Sequence, residues 1–180
     1  MNSRPKNYRV RLLTMFVVSS LGFGAGTVRA EISDADKAFL DAMASSDMAE
    51  VELSRIAMAQ APSPQVHDFA QTIAADHGEN YQALLELCRD KQYAIAPRID
   101  AVHGEVLNKL RRADSPEAAA RAYLDARAYL DAIAVDQATI DSLLEKIAGN
   151  SNDADISRFA AGTLTAVKNH EDSAKQLASR

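Results

Sequence analysis

The chain has 180 residues, of which 47% are hydrophobic and 25% are charged, and this composition is typical of one soluble globular domain. Its 20 Lys and Arg stand against 25 Asp and Glu, which gives a formal net charge of −5. This acidic balance argues against nucleic-acid binding, which depends on basic surfaces. The absence of Trp and the low Gly and Pro counts disfavour turn-rich β architectures.

Residues 1–30 have the three-part layout of a secretory signal peptide. The chain opens with four basic residues: Arg4, Lys6, Arg9 and Arg11. An uncharged apolar run of about 15 residues follows, which is short for a membrane helix of about 20 residues. Small residues at Val28 and Ala30 then predict cleavage after Ala30. We therefore expect a periplasmic or secreted protein with a domain over residues 31–180, and an uncleaved N-terminal anchor is the alternative.

The mature chain, residues 31–180, contains no possible internal disulfide. Its single cysteine is Cys88, so the fold must hold by packing even in an oxidising compartment. Cys88 falls on the apolar stripe of the second predicted helix, which predicts a buried, unreactive thiol. The 15 basic and 25 acidic residues of this segment favour solubility and repel anionic lipid, and no membrane span is predicted in it.

Alanine dominates the mature chain, with 32 Ala against only four Gly, and this predicts an all-α fold. Helix starts are marked by capping residues and by proline in the first turn. These start signals are Ser33, Ser63-Pro64, Ser115-Pro116 and either Asn152 or Asp153. Apolar spacings of three and four then predict four helices, over about 33–60, 64–92, 116–148 and 153–178.

The connection over residues 93–115 decides between two helix orders. Its length is enough to run back along a whole helix, which predicts an antiparallel four-helix bundle that is ferritin-like, with a long crossover between helices two and three. A plain up-down-up-down bundle is the alternative. The middle of the crossover, Ile99 to Arg112, has the spacing of a short extra helix with Val102, Val106 and Leu110 on one side.

One large polar residue interrupts each of the four apolar stripes: Glu50, His77, Gln137 and His170. Their similar heights along the predicted helices indicate one polar layer in the bundle core. Buried polar groups need partners, so two interpretations stay open. In the first, Glu50 is charge-paired to a histidine in a hydrogen-bonded layer that fixes helix register. In this case His77→Leu should cost little stability, and Glu50→Leu should cost more.

The second interpretation is a site for one divalent transition metal ion. Two imidazoles and a carboxylate suit Zn²⁺, Fe²⁺, Mn²⁺ or Cu²⁺, with Gln137 or water completing the ligand shell. Asp100 and His103 also have a metal-compatible spacing, but they fall in the crossover and form a weaker candidate. Asp76 adjoins His77 but is predicted to point away from the layer. His67 is predicted to face solvent.

No complete catalytic arrangement is visible in the sequence. A Gly-rich phosphate loop, a Gly-x-Ser-x-Gly turn and a Cys-x-x-Cys pair are all missing. We therefore expect a non-enzymatic envelope protein, either a stress-related scaffold or an interaction module. Its partner would be another envelope protein or a second copy. The alternative function is a ferritin-like metal-binding or redox protein.

The sequence pattern resembles a family of secreted bacterial proteins, the domain of unknown function 4142. The segments that carry the resemblance are Ala49–Leu53, Val66–Gln71 with Asp76-His77, Arg127–Ala132 with Asp136, and Phe159–Ala161 with His170. The resemblance implies a ferritin-like fold and no established activity. Members commonly have Asp-His where this chain has Asp136-Gln137, and this difference weakens a metal layer because an amide oxygen is a poor ligand for Zn²⁺ or Cu²⁺. Such proteins are often labelled predicted outer membrane proteins. The residues of this chain do not support that label, because they lack the alternating pattern of membrane strands.

Overall fold

Five helices make up the part of the chain that the computed structural model describes, namely residues 32–60, 63–96, 98–111 and 118–179. They are α1 (Asp34–Gln60), α2 (Pro64–Asp90), α3 (Ala101–Arg111), α4 (Ala118–Asn150) and α5 (Ala154–Ala178). No strand occurs within these ranges, which confirms the all-α class. The predicted signal peptide and the predicted cap at Ser115-Pro116 lie outside the described residues.

The short extra helix predicted between Ile99 and Arg112 is confirmed as α3, so the described part of the chain has five helices, four long and one short. Leu107 and Leu110 of α3 are buried, and this apolar contact explains why the segment is helical. The residues predicted to share one side of α3, Val102, Val106 and Leu110, line one groove together. Their burial increases along the helix, because Val102 is 73% exposed, Val106 is half-buried and Leu110 is 3% exposed.

Side-chain caps fix the starts of α1 and α5. Ser33 and Asp36 form a reciprocal capping box, in which Ser33 Oγ accepts from the Asp36 backbone N–H at 3.1 Å and Asp36 Oδ2 accepts from the Ser33 hydroxyl at 2.7 Å. Asp153 Oδ1 accepts from the backbone N–H groups of Asp155 and Ile156, at 3.0 and 3.2 Å. Ser63, in contrast, occupies the cap position of α2 without a side-chain cap bond.

The helices pack in neighbouring pairs. α1 packs against α2, α3 and α4, and α5 packs against both α4 and α2. The predicted apolar stripes are buried in this packing, for example at Phe39, Ile73 and Leu144. No helix in the described ranges has an apolar stretch long enough to span a bilayer.

Buried apolar residues form two separate clusters. The Phe39 cluster comprises Ile32, Phe39, Leu40, Met43, Ala44, Leu84, Cys88, Ile140, Leu144, Ile147, Ile156, Ala160 and Val167. The Tyr129 cluster comprises Leu53, Ala57, Val66, Phe69, Ala70, Ile73, Leu107, Leu110, Tyr129, Leu130, Ile133 and Ala174. In α1, α2 and α4 the residues between the two clusters are those of the predicted polar layer.

Cys88 is a free thiol within the Phe39 cluster, and it is 2% exposed. Burial raises the pKa of Cys88 to about 11, and the carboxylate of Asp41 adds to this rise. A thiol with this pKa holds almost no thiolate at neutral pH, so it is a weak nucleophile and a weak metal ligand.

We expect Cys88→Ser to remain helical and to unfold cooperatively, with a loss of about 1 kcal/mol because a hydroxyl replaces a buried thiol. Urea unfolding followed by circular dichroism measures this loss. The control is wild-type protein with and without dithiothreitol, which should unfold at the same urea concentration. Unfolding by dithiothreitol alone would show that a disulfide, and not packing, holds the protein.

Candidate functional site

A layer of hydrogen-bonded polar side chains separates the two apolar clusters. Helix α1 contributes Ser46, Asp47 and Glu50, α2 contributes His77 and Asn80, and α4 contributes Asp136 and Gln137. Asp47, Glu50 and Gln137 are fully buried, and His77 is 3% exposed. Such groups are stable in a protein interior only when they satisfy one another.

His77 is bonded through both ring nitrogens to carboxylates of α1. Its Nδ1 lies 2.8 Å from Asp47 Oδ1, and its Nε2 lies 2.9 Å from Glu50 Oε2. When both carboxyl groups are ionised, both ring nitrogens donate, which is the protonated form of histidine. The pair of bonds ties α2 to α1 over one turn of helix.

The ionisation of this group follows from burial and charge together. Burial disfavours the charged imidazole, but the charges and hydrogen bonds of Glu50 and Asp47 outweigh it and hold the pKa of His77 well above its ordinary value. Burial also raises the pKa of Glu50 to about 7, with the attraction of His77 opposing the rise and the carboxylate of Asp136 adding to it. Burial raises the pKa of Asp47 as well, so both carboxyl groups that contact His77 bind a proton more readily than they would in water.

Gln137 of α4 completes the layer, but the donors and acceptors of its amide group do not match those of its neighbours. Its Nε2 lies 2.8 and 2.7 Å from the two carboxylate oxygens of Glu50 and 2.9 Å from Nε2 of His77. Three atoms thus surround an amide nitrogen that has only two hydrogens. Its Oε1 is buried and has no donor among the described residues.

The opposite end of the layer reaches the surface through His103 of α3. His103 Nδ1 lies 2.7 Å from Asp100 Oδ2, and its Nε2 lies 3.0 Å from Asp136 Oδ1. The hydrogen bond to Asp136 is the main reason that the pKa of His103 rises to about 9, although burial opposes it. Serines of α1 complete this end, because Ser46 donates to Asp136 at 2.6 Å and Ser45 donates to Asp100 at 3.0 Å.

His170 of α5 lies beside the layer but belongs to a different pair. Its Nε2 lies 2.8 Å from Asp76 Oδ2, and its ring centroid lies 5.5 Å from that of His77. Burial lowers the pKa of His170, which favours the neutral ring, and its Nδ1 has no partner among the described residues. Asp76 stays outside the layer, and α2 and α5 pack closely enough for its side chain to reach His170.

Of the four residues predicted for the site, the structure brings Glu50, His77 and Gln137 into contact, and His170 is adjacent through His77 only. The sequence analysis missed Asp47, Asn80 and Asp136, and placed His103 outside the layer. Asp47 lies three residues before Glu50 and Asn80 three after His77, which is the helical spacing that would have identified both. His67 is exposed, as predicted.

The interactions of the layer are hydrogen bonds and ion pairs. In the described residues no group of three or more His, Cys, Asp or Glu side chains is arranged to hold a metal ion. A cation at Glu50 and His77 would therefore also need the amide oxygen of Gln137. A groove of about 510 Å³ between α2 and α5, lined in part by Asp76, Asn80 and His170, reaches His77 from solvent.

The fold resembles that of one solved structure. The crystal structure of a DUF305 fragment from Deinococcus radiodurans matches with a TM-score of 0.70 over 84% of this chain and 99% of that chain. The sequences are only 10% identical, so the likeness concerns the fold alone. No curated protein matches the chain significantly.

The sequence itself matches a family over most of its length. Residues 24–177 match the domain of unknown function DUF4142, and this range contains the whole polar layer and the five described helices except Ala178, the last residue of α5. The resemblance seen in Ala49–Leu53, Asp76-His77 and the segment leading to His170 is thereby confirmed. The chain belongs to the DUF4142 family.

Proposed function

We propose that the protein is exported and that residues 1–30 are removed as a signal peptide. The support is the order of a basic start, an uncharged apolar run and small residues at Val28 and Ala30. The first described helix begins at Asp34 behind the Ser33 cap, so cleavage after Ala30 would leave the folded domain intact.

The expected result is a mature N-terminus at Glu31, because the signal peptidase reads the small residues at 28 and 30. N-terminal sequencing of protein recovered from the periplasm or the medium measures it. Replacing both small residues, as Val28→Lys with Ala30→Lys, should leave the precursor uncleaved. Full-length protein in the cytoplasm of wild-type cells would contradict export.

We propose further that the mature domain is a non-enzymatic scaffold or interaction module of the envelope. In this proposal α1, α2, α4 and α5 form a ferritin-like bundle and α3 lies in the crossover. The observation that carries the proposal is that the titratable groups of the layer are bonded to one another. His77 lies between Asp47 and Glu50, and His103 lies between Asp100 and Asp136, so carboxylates hold both imidazoles of the layer.

Complementation of a deletion strain under envelope stress tests this role. Gln137→Leu removes the amide from the layer but keeps the imidazole and carboxylate pairs. A scaffold should complement fully with this variant at wild-type protein levels, and a surface variant outside the layer, Glu145→Gln, serves as the control. Loss of complementation by a stable, folded Gln137→Leu protein would favour chemistry in the layer.

A second candidate function is that of a ferritin-like metal-binding or redox protein, with Glu50, His77, Gln137 and His170 as the residues first proposed. The observation that favours it is the convergence of polar atoms of Glu50, His77 and Gln137 within 2.9 Å of one another. Metal analysis of protein purified without an affinity tag from its native compartment tests this candidate. A redox or storage role requires a stoichiometric metal, and added Zn²⁺ or Cu²⁺ should then raise the melting temperature of metal-stripped protein by mass action.

A further inference from the structure

We propose that a groove between α2 and the segment 98–111, which contains α3, binds a small organic anion. The ligand class is a carboxylate with an apolar body, and Arg55 and Arg111 hold its charged group. The groove has a volume of about 530 Å³ and shares no lining residue with the groove between α2 and α5. A site for a small ligand goes beyond the scaffold role proposed above and involves no metal ion.

The packing of three elements creates this groove. Helix α2 packs against α1 and α5, and α3 packs against α1 and α4, so α1 lies between α2 and α3. All three elements line the groove, for example at Val51 of α1, Tyr81 of α2, and Ile99 just before α3. Clefts of this size between the helices of a bundle are common binding sites for small molecules.

The inner surface of the groove is mainly apolar. Met48, Val51, Tyr81 and Ile99 line it, and each of these residues is half-buried. A half-buried apolar side chain still exposes surface to water, so a ligand that covers it is stabilised by the hydrophobic effect. Met48 can adjust its shape to such a ligand because its side chain is unbranched and flexible. This surface is the binding place of the apolar body.

Two guanidinium groups meet at the rim of the groove. Nη2 of Arg111 lies 2.7 Å from Oε1 of Glu52, and Nη1 of Arg55 lies 3.8 Å from Oε2 of the same carboxylate. Their side chains are 53% and 69% exposed, so a ligand can reach both from solvent. Each guanidinium group has five N–H donors, more than one carboxylate oxygen occupies, and its planar shape suits a second carboxylate.

The charge of the rim is opposite in sign to that of the domain. Residues 31–180 contain 25 acidic and 15 basic side chains. The groove, in contrast, is lined by two arginines and only one accessible carboxylate, that of Glu52. Asp47, its other acidic residue, is fully buried and paired with His77. This local excess of positive charge favours an anion over a cation.

Gly78 of α2 leaves space in the groove. A glycine inside a helix lowers stability relative to alanine, so its presence there needs a reason. Close packing is not the reason, because a Cβ atom at Gly78 would meet no atom within 4 Å. Gly78 lines the groove, and a large side chain at this position would occupy the space that the ligand needs.

Calorimetric titration of the purified protein with decanoate tests the site. Decylammonium, which has the same chain length and the opposite charge, is the comparison probe. We expect saturable binding of one decanoate per chain, which weakens as salt is added because the arginine contacts are electrostatic. Decylammonium should bind more weakly or not at all.

Arg55→Gln and Arg111→Gln should each lower the affinity for decanoate about tenfold, because each removes hydrogen bonds to a charged group. The matched control is Arg158→Gln on α5, because Arg158 is also an exposed arginine in an ion pair with an acidic residue three positions before it, Asp155. This variant should keep wild-type affinity.

Two further substitutions act on the groove in opposite directions. Glu52→Gln should raise the affinity for decanoate, because it removes the carboxylate that competes for the guanidinium groups. Gly78→Leu should abolish binding by filling the groove. Gly162→Leu is its control, because Gly162 also has open space around its Cβ position but lines the groove between α2 and α5. Circular dichroism verifies that each variant is folded.

Three results would overturn the proposal. Decanoate that does not bind, or that binds no more tightly than decylammonium, would exclude an anion site. Affinity that Glu52→Gln leaves unchanged or lowers would exclude the two arginines as the binding place of the carboxylate. Binding that persists in a folded Gly78→Leu protein would exclude the groove. The scaffold role is unaffected by all three, because it requires no small ligand.

Discussion

Replacing His77 by Leu should lower the free energy of unfolding by about 3–5 kcal/mol, the usual cost of removing one partner of a buried ion pair. The imidazole is 3% exposed and bridges Asp47 and Glu50, which are both fully buried. Without it, the buried carboxylates of Asp47 and Glu50 lose the cation that they share. Equilibrium unfolding in urea at pH 8, above the pKa of Glu50, measures the change.

His67→Leu is the matched control, because it is the same substitution on the exposed face of α2. Its effect should stay within about 0.5 kcal/mol. From the sequence alone, His77→Leu was expected to cost little in a structural layer, because replacing a polar partner by an apolar residue can be nearly neutral. A measured loss below about 1 kcal/mol would show that Asp47 and Glu50 are neutral in the folded protein.

Stability should fall as the pH rises from about 6.5 to 10, by about 3 kcal/mol through His103 alone. The hydrogen bond to Asp136 is the largest reason that the pKa of His103 rises to about 9 in the folded protein. A group with a raised pKa stabilises the fold fully below its ordinary value of 6.5 and loses this contribution as the pH passes its folded value. Glu50, whose pKa burial raises from 4.5 to about 7, acts in the same direction over the lower interval between these two values.

At low pH, stability depends on groups other than His103 and Glu50. Burial opposes the ionisation of Asp136, but hydrogen bonds led by that of His103 lower its pKa, so its contribution is lost only as the pH falls below the ordinary value of 3.8. Maximum stability is therefore expected on the weakly acidic side of neutrality. Urea unfolding at a series of pH values measures the curve, and His103→Gln should flatten it by about 3 kcal/mol between pH 6.5 and 10. A wild-type free energy of unfolding that stays constant over this interval would refute the stabilising ion pairs of His103 with Asp100 and Asp136.

The helices and their buried faces could be predicted because both are properties of local sequence. Spacings of three and four residues identified buried positions such as Phe39, Ile73 and Leu144, and α1 and α2 end within two residues of their predicted ends. The polar interruptions Glu50, His77 and Gln137 were found by the same pattern. A large polar residue on an apolar stripe must be buried, so it must also find a partner.

The residues of the layer that the sequence analysis missed depend on distances between helices. The spacing of apolar residues along one helix gives no information on those distances. Asp136 adjoins Gln137 in sequence, yet its role follows from His103, which a separate helix brings to it at 3.0 Å. The pairing of His170 with Asp76 and not with Glu50 likewise depends on how closely α5 approaches α2. Sliding one helix along its neighbour by one residue would change which side chains pair. The lengths of the loops do not determine that position.

The position of the polar layer between two apolar clusters has a consequence for local opening of the protein. Helices α1, α2, α4 and α5 each contribute residues to both clusters, so every one of them crosses the layer. The apolar contacts of one end are not continuous with those of the other, and the layer supplies the bonds that couple them.

Each end of the domain can therefore open as a cooperative unit of its own. Backbone amides beside Phe39 and beside Leu53, which lie on the same helix, then exchange their hydrogens with solvent through different opening events. Amides next to Glu50 become accessible only when both ends have opened, so the most polar part of the core is also the last to be exposed.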